Sequence, residues 1–139
     1  VRPLLRRLVM GVSDHALGGA WSPLLQEAPR RRMLMGQASC FLEVPSGEGY
    51  LQVHAFADPA VEPGALWASV GEGGWSSVPL RPGWTTYHFR IASHGQGGGA
   101  RIALESRTSE GRAAVGAVSV NEVAALSPGA PYRRAGGLL

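Results

Sequence analysis

The sequence predicts an all-β fold, a two-sheet antiparallel jelly-roll sandwich of about seven or eight strands with a short N-terminal helix or arm. Short apolar runs recur at intervals of about 8–12 residues, and turns rich in Gly and Pro separate them. The 139 residues include 20 Gly and 10 Pro, dispersed between the runs and not gathered in one tract. Helical and strand patterns do not alternate along the chain, which argues against an α/β fold.

The first 16 residues are the only segment with helical spacing. Leu4, Leu5, Leu8 and Val9 recur at that spacing with arginines between them, and Gly11 limits the helix. We expect residues 1–16 to form a short helix or arm. The segment that begins Gly18-Gly19 and ends at Pro23 is predicted to be a turn.

Strand patterns begin after residue 37. The predicted strands are residues 38–44, 50–57, 66–70, 75–80, 84–91, 101–106 and 114–123. Residues 50–57 place Leu51, Val53 and Ala55 on one face, and residues 84–91 alternate in the same way. The domain is therefore predicted to span residues 17–127, followed by a flexible tail over residues 128–139, where Pro, Gly and Arg dominate.

The charges of the chain argue against a nucleic-acid partner. All 13 basic residues are arginines, set against 10 acidic residues for a formal charge of +3. Arg30, Arg31 and Arg32 form one basic cluster and Arg133 and Arg134 another. The strands lack the interleaved aromatic and basic residues of a base-stacking sheet, so we interpret these clusters as exposed arginine turns.

The single cysteine, Cys40, excludes an internal disulfide and a cysteine-based metal site, and its apolar neighbours predict a buried strand position. No apolar run is long enough for a transmembrane helix, and residues 1–12 make a poor signal peptide. We expect a soluble chain. Its compartment stays open, as do association with the cell envelope and membership of a larger protein.

No set of residues predicts catalysis. Sugar hydrolysis needs two carboxylates about 5–10 Å apart, whereas Glu105 is the one acid in the middle of a predicted strand, where an ion pair with Arg90 or Arg101 is expected. Ser13, Asp14 and His15 are adjacent in sequence, which is not the geometry of a triad.

No cofactor or metal is predicted either. The histidines, which are His15, His54, His88 and His94, have no paired ligand spacing. The two aspartates, Asp14 and Asp58, make no calcium loop.

Sugar binding uses flat aromatic faces together with polar groups that take hydroxyls. Trp75 follows a glycine-rich turn and is the best candidate for an exposed aromatic, with Trp21 second; Trp67 and Trp84 are expected in the core. The polar strand face offers Gln52, His54, His88 and Arg90, with Arg101 and Glu105 beside them if the strands are neighbours. The alternative interpretation of this face is a hydrated outer sheet.

From Gly18 to about Leu126 the chain resembles a galactose-binding-like β-sandwich, the accessory domain attached to bacterial glycosyltransferases and other carbohydrate-active proteins. The resemblance is carried by the opening Gly19-Ala20-Trp21-Ser22-Pro23, by residues 51–55, 66–71, 101–106 and 115–123, and above all by residues 78–89, where Gly83-Trp84 leads into an alternating strand. An Asn-Gly turn common in the family is replaced here by residues 71–74.

The resemblance implies a non-catalytic module that recognises a glycan, such as a cell-envelope polysaccharide, through exposed aromatics and the polar strand face. A hypothesis from a different class is a structural or assembly protein that contacts other subunits through its terminal arms and strand edges.

Overall fold

The computed structural model describes residues 6–12, 14–45, 48–60, 64–71, 73–91 and 98–127. Nine strands account for most of them: β1 (Arg7–Val9), β2 (Leu17–Trp21), β3 (Arg32–Val44), β4 (Gly49–Ala57), β5 (Gly64–Val70), β6 (Trp75–Pro79), β7 (Gly83–Ile91), β8 (Gly98–Thr108) and β9 (Val118–Leu126). A single 3₁₀ turn, Asp14–Ala16, is the only helical element in this part of the chain. The all-β prediction is confirmed.

The strands form two antiparallel layers that share one long strand. The order of hydrogen-bonded strands is β6-β5-β8-β3-β9-β4-β7, with β1 paired to β9 and β2 paired to β3. The first sheet contains β1, β9, β4 and β7, and the second contains β2, β3, β8, β5 and β6. Strand β3 connects them, because Arg32 and Met33 pair with β9 whereas Ala38–Val44 pair with β8.

The core lies between the two layers. Strand β4 contributes Leu51, Val53 and Ala55, which are fully buried, as the alternation of the sequence predicts. Across the core, β8 contributes Ile102 and Leu104, also fully buried. One face of β4 and one face of β8 are therefore turned to the core, which is the arrangement of a sandwich.

The helix predicted at the N-terminus is not seen. Arg7–Val9 form β1, which pairs with β9. Leu8 is fully buried whereas Arg7 is exposed, so this segment has the period of a strand. Pairing with β9 satisfies the backbone of the segment and buries Leu8 at once. Residues 1–5 lie outside the described residues.

The turn predicted before residue 23 is also different. Leu17–Trp21 form β2, which pairs with β3 through a bulge between Gly19 and Trp21. Gly19 has a φ of 76°, and a Cβ there would lie 2.8 Å from the backbone oxygen of Gln37. Glycine is required at this close approach, so a glycine-rich segment with the composition of a turn is an edge strand.

The remaining predicted strands are present with shifted ends. Strand β3 begins at Arg32, earlier than predicted, and β9 spans Val118–Leu126 where residues 114–123 were expected. None of the helices in the described ranges is long and apolar enough to span a membrane. The tail predicted over residues 128–139 falls outside the described residues.

Candidate functional site

Four of the predicted binding residues lie together on the outer face of the first sheet. Strands β4 and β7 are antiparallel neighbours, and their register pairs Gln52 with His88, His54 with Thr86 and Tyr50 with Arg90. Because their inward neighbours are buried, these side chains share the opposite face. We call Gln52, His54, His88 and Arg90 the polar ladder.

Hydrogen bonds organise the polar ladder. Nε2 of His88 donates to Oε1 of Gln52 at 3.1 Å, and Nδ1 of His54 is 3.0 Å from Oγ1 of Thr86. Nη2 of Arg90 donates to Oε1 of Glu48 at 2.7 Å. The ladder therefore presents donors and acceptors side by side.

Aromatic rings continue the ladder at one end. His54 stacks on Trp84 with ring centroids 5.0 Å apart, and Phe56 lies tilted against Trp84 at 5.6 Å. The guanidinium of Arg31 lies over both the Phe56 and Trp84 rings, 5.4 and 5.9 Å from their centroids. Trp84 was expected in the core. It instead belongs to this outer cluster, because β7 alternates and Tyr87, Phe89 and Ile91 take the inward positions.

Two residues expected beside the ladder belong to the other sheet. Arg101 and Glu105 lie on β8, whose neighbours are β3 and β5. Glu105 accepts from Nε of Arg107 at 2.6 Å, so its ion-pair partner is neither Arg90 nor Arg101. The polar surface expected from the sequence is thus divided between the two outer faces of the sandwich.

Trp75 lies on the outer face of the second sheet. It pairs with Ser69 across β5 and is 37% exposed. The guanidinium of Arg107 lies 5.5 Å from the Trp75 ring centroid and 4.5 Å from that of Trp67. Trp67, expected in the core, therefore faces outward between Leu66 and Ala68, which are the buried positions of β5.

Trp21 is held at the edge of the core. It packs against the core cluster and is only partly buried. Its Nε1 donates to the backbone oxygen of Ser39 at 2.8 Å. The indole donor is therefore already used within the protein, which leaves less of Trp21 to offer a ligand than of Trp75.

A cleft of about 230 Å³ opens where the two sheets approach each other at β6 and β7. These strands are the two ends of the strand order. We call this space the seam cleft; its lining residues are Ala68, Val70, Gly73, Gly74, Trp75, Ser76, Phe89, Arg90 and Ile91. Two predicted binding residues, Trp75 and Arg90, thus meet at one cavity although they lie on different sheets. Sequence patterning could not reveal this contact, because it depends on how the sheets close.

A carboxyl with a clearly shifted pKa, that of Asp14, lies away from both the ladder and the cleft. Burial alone would raise the pKa of Asp14, but a hydrogen bond from Arg32, one from the backbone of Gly11 and the charges of Arg32 and Arg30 hold it below 3.8. This carboxyl has a structural partner and lines neither cleft nor ladder. No group of three or more His, Cys, Asp or Glu residues in the described ranges could hold a metal ion.

Comparisons with known proteins find similar folds. No protein-family profile and no curated protein sequence matches the chain. A family GH115 4-O-methyl-alpha-glucuronidase with specificity for decorated arabinogalactans matches 89% of this chain at 6% identity and a TM-score of 0.59, and the chain spans 18% of that protein.

Two smaller structures match along nearly their whole length. CBM35 from Cellvibrio japonicus Abf62 matches 87% of this chain and 99% of its own, at 15% identity and a TM-score of 0.53. Xyl-CBM35, solved in complex with a glucuronic acid containing disaccharide, matches 86% of this chain and 96% of its own, at 15% identity and a TM-score of 0.54. At these identities the likeness concerns the fold. The chain therefore has the antiparallel jelly-roll sandwich fold that its sequence predicts.

Proposed function

We propose that this protein is a non-catalytic carbohydrate-binding module that holds a saccharide in the seam cleft and along the polar ladder. The observation that carries the proposal is the meeting of Trp75 and Arg90 at one cleft. The fold supports it, since this sandwich is shared with carbohydrate-binding modules that match nearly the full chain.

The chemistry of the cleft suits a sugar ring. Phe89 and Ile91 contribute apolar lining, and Arg90 contributes charged donors. Glu48, hydrogen-bonded to Arg90, adds acceptors beside those donors. A pyranose ring has apolar C–H faces and a rim of hydroxyls that donate and accept, so it matches both parts of the surface.

The size and the residues of the cleft favour binding over hydrolysis. Its volume is below the about 300–1,000 Å³ of drug-sized ligand pockets, which suits one sugar unit or a chain end. None of its described lining residues is acidic. Hydrolysis would need two carboxylates flanking the bond, so we assign the cleft no catalytic role.

A glycan-array screen of the full chain, followed by calorimetric titration of the best ligand, tests this proposal. We expect Trp75→Ala and Arg90→Ala each to raise the Kd at least about tenfold, the loss of one good contact, with unchanged melting temperatures. Arg112→Ala is the matched control, because Arg112 is highly exposed and lies outside the cleft. Absence of any saccharide ligand, together with self-association of the chain, would favour the assembly hypothesis instead.

A further inference from the structure

The outer face of the second sheet carries a groove. Arg90, which lines the seam cleft, lies on the first sheet and is not part of this groove. Ser39, Ala103 and Ser69 are direct cross-strand partners on β3, β8 and β5. All three lie on outward-facing positions and are 5–9% exposed. Their outward neighbours along the strands, among them Phe41, Arg101 and Trp67, are larger. Taller residues on each side of short ones make a groove that crosses the strands, and Trp75, the partner of Ser69, stands at its end on β6.

One wall of the groove combines an aromatic ring with a cation. Phe41 is 47% exposed and pairs across the sheet with Arg101. Both line a cavity of about 300 Å³ that continues over Leu17 and Gly18 of β2. The exposed phenyl ring offers a stacking face with a positive charge next to it.

The charge of Arg101 is not neutralised within the described residues. Its side chain has no hydrogen bond, ion pair or ring contact there, unlike the neighbouring charges on this face. Glu43 is paired with Arg6, and Glu105 with Arg107. Among the described residues, Arg101 therefore has no charged partner, and it lies beside the most exposed ring of the groove.

The opposite wall supplies a second aromatic surface. The guanidinium of Arg107 lies over the rings of Trp67 and Trp75, 4.5 and 5.5 Å from their centroids. Its Nε donates to Oε1 of Glu105 at 2.6 Å, which fixes its position. Phe41 on β3 and Trp75 on β6 are three strands apart, which corresponds to about 14 Å. A ligand that contacts both walls must therefore be longer than one sugar unit.

We propose that this groove is a second binding surface, and that it takes a linear polysaccharide whose sugars carry carboxylate groups. The sugar faces stack on Phe41 at one wall and on Trp67 and Trp75 at the other. Arg101 binds a carboxylate, which a guanidinium can contact through two parallel hydrogen bonds. Trp75 borders both the groove and the seam cleft. Arg101 lines only the groove and Arg90 only the cleft, so variants of these two residues distinguish the two sites.

Titration of the full chain with oligogalacturonates at physiological ionic strength tests the groove. We expect an octamer to bind at least tenfold more tightly than a dimer, since only the longer chain reaches both walls. A methyl-esterified octamer, which has the same length without the charges, should bind at least tenfold more weakly than the free acid.

Variants of the chain locate the site at which the octamer binds. Arg101→Gln and Phe41→Ala should each weaken octamer binding at least tenfold, while Arg112→Gln, which removes the same charge from an exposed position elsewhere, should leave it within twofold. Arg90→Ala tests the seam cleft alone and should not change octamer binding. The proposal is overturned if the octamer does not bind, if the ester binds equally well, or if Arg112→Gln weakens binding as much as Arg101→Gln. If only Arg90→Ala loses octamer binding, the proposal is also overturned, and the octamer is assigned to the seam cleft.

Discussion

At the scale of single residues, burial decides the chemistry of the one thiol. Cys40 is 2% exposed within the core on β3. Desolvation raises its pKa from 9.0 to about 12, because the thiolate would lose its hydration and gain no charged partner. The residue therefore behaves as a small apolar side chain, as its neighbours in the sequence predict.

This shift makes stability depend on alkaline pH. Above about pH 9 the unfolded chain loses the thiol proton while the native protein keeps it, so the free energy of unfolding falls as the pH rises. At pH 10.5 the loss should be about 2 kcal/mol. Urea unfolding of the wild type and of Cys40→Ala at pH 8 and pH 10.5 isolates the effect, and parallel changes in the two proteins would contradict it.

Asp14 gives the opposite dependence, at acidic pH. Its carboxylate accepts from the backbone nitrogen of Gly11 at 2.9 Å and from Nη2 of Arg32 at 2.8 Å. Because these contacts lower its pKa below 3.8, their contribution is present at neutral pH and is lost as the pH falls below that value. Asp14→Asn should cost about 1 kcal/mol at pH 7.

The acid response of the Asp14→Asn variant should be smaller than that of the wild type. Thermal unfolding at pH 7 and pH 3 measures both effects. Glu110→Gln is the matched control, since Glu110 is well exposed and its nitrogen–oxygen distance to Arg112 is 3.9 Å. An equal acid loss in the wild type and in Asp14→Asn would show that Asp14 does not carry the effect.

At the scale of strands, close backbone approach sets where side chains are allowed. A Cβ at Gly64 would lie 2.1 Å from the backbone oxygen of Arg107, on the neighbouring strand β8. The oxygen of Gly64 also accepts from the backbone nitrogen of Leu80 at 2.9 Å. Strand β5 thus begins at a glycine because only a residue without a side chain fits against β8.

Gly64→Ala should therefore destabilise the protein by about 2–4 kcal/mol, since β5 must separate from β8 locally. Gly74→Ala provides the comparison, because a Cβ at Gly74 meets nothing within 4 Å. Its free energy of unfolding should change by no more than about 0.5 kcal/mol. Chemical denaturation of both variants measures the difference, and equal values would refute the steric argument.

The predictability of each strand depended on how much of its side-chain pattern was visible in the sequence. Strand β4 could be predicted to within one residue, because Leu51, Val53 and Ala55 alternate with polar residues. Strand β1 has only three residues, too few to distinguish a strand from a helix by spacing. Strand β2 contains Gly18 and Gly19, whose composition favours a turn until β3 is known to lie beside it.

The candidate site was predictable in part for the same reason. Alternation placed Gln52 and His88 on one face, but it could not show that Arg101 belongs to the other sheet. Trp67 and Trp84 also had the composition of core residues. Pairing with neighbouring strands decides which face each occupies, and this information lies far away in the sequence.

At the scale of the whole molecule, the fold is closed by contacts between its first and last strands. Strand β1 pairs with β9, and an ion pair joins Arg7 to Glu122. The backbone oxygen of Arg6 accepts from the nitrogen of Ala125 at 2.8 Å. Such distant pairing in sequence predicts slow folding, because the chain must close a long loop before these contacts form.

Leu8 anchors this closure, since its side chain is fully buried. Leu8→Ala should lower the free energy of unfolding by about 2–4 kcal/mol through loss of buried surface and the cavity that remains. Val12→Ala is the comparison, because Val12 is 70% exposed. Equilibrium unfolding in urea measures both, and a small loss for Leu8→Ala would indicate that β1 is not needed for the stability of the sandwich.

The antiparallel pairing of β1 with β9 also determines how the domain responds to force. Arg7 lies opposite Ala124, so the start of β1 and the end of β9 lie at the same end of the paired strands. Tension applied across Arg6 and Leu126 would load the hydrogen bonds between β1 and β9 in succession, as in opening a zipper, and not all together. A domain tethered at both ends would thus yield first at β1, which gives this sandwich a mechanically weak point where its chain enters.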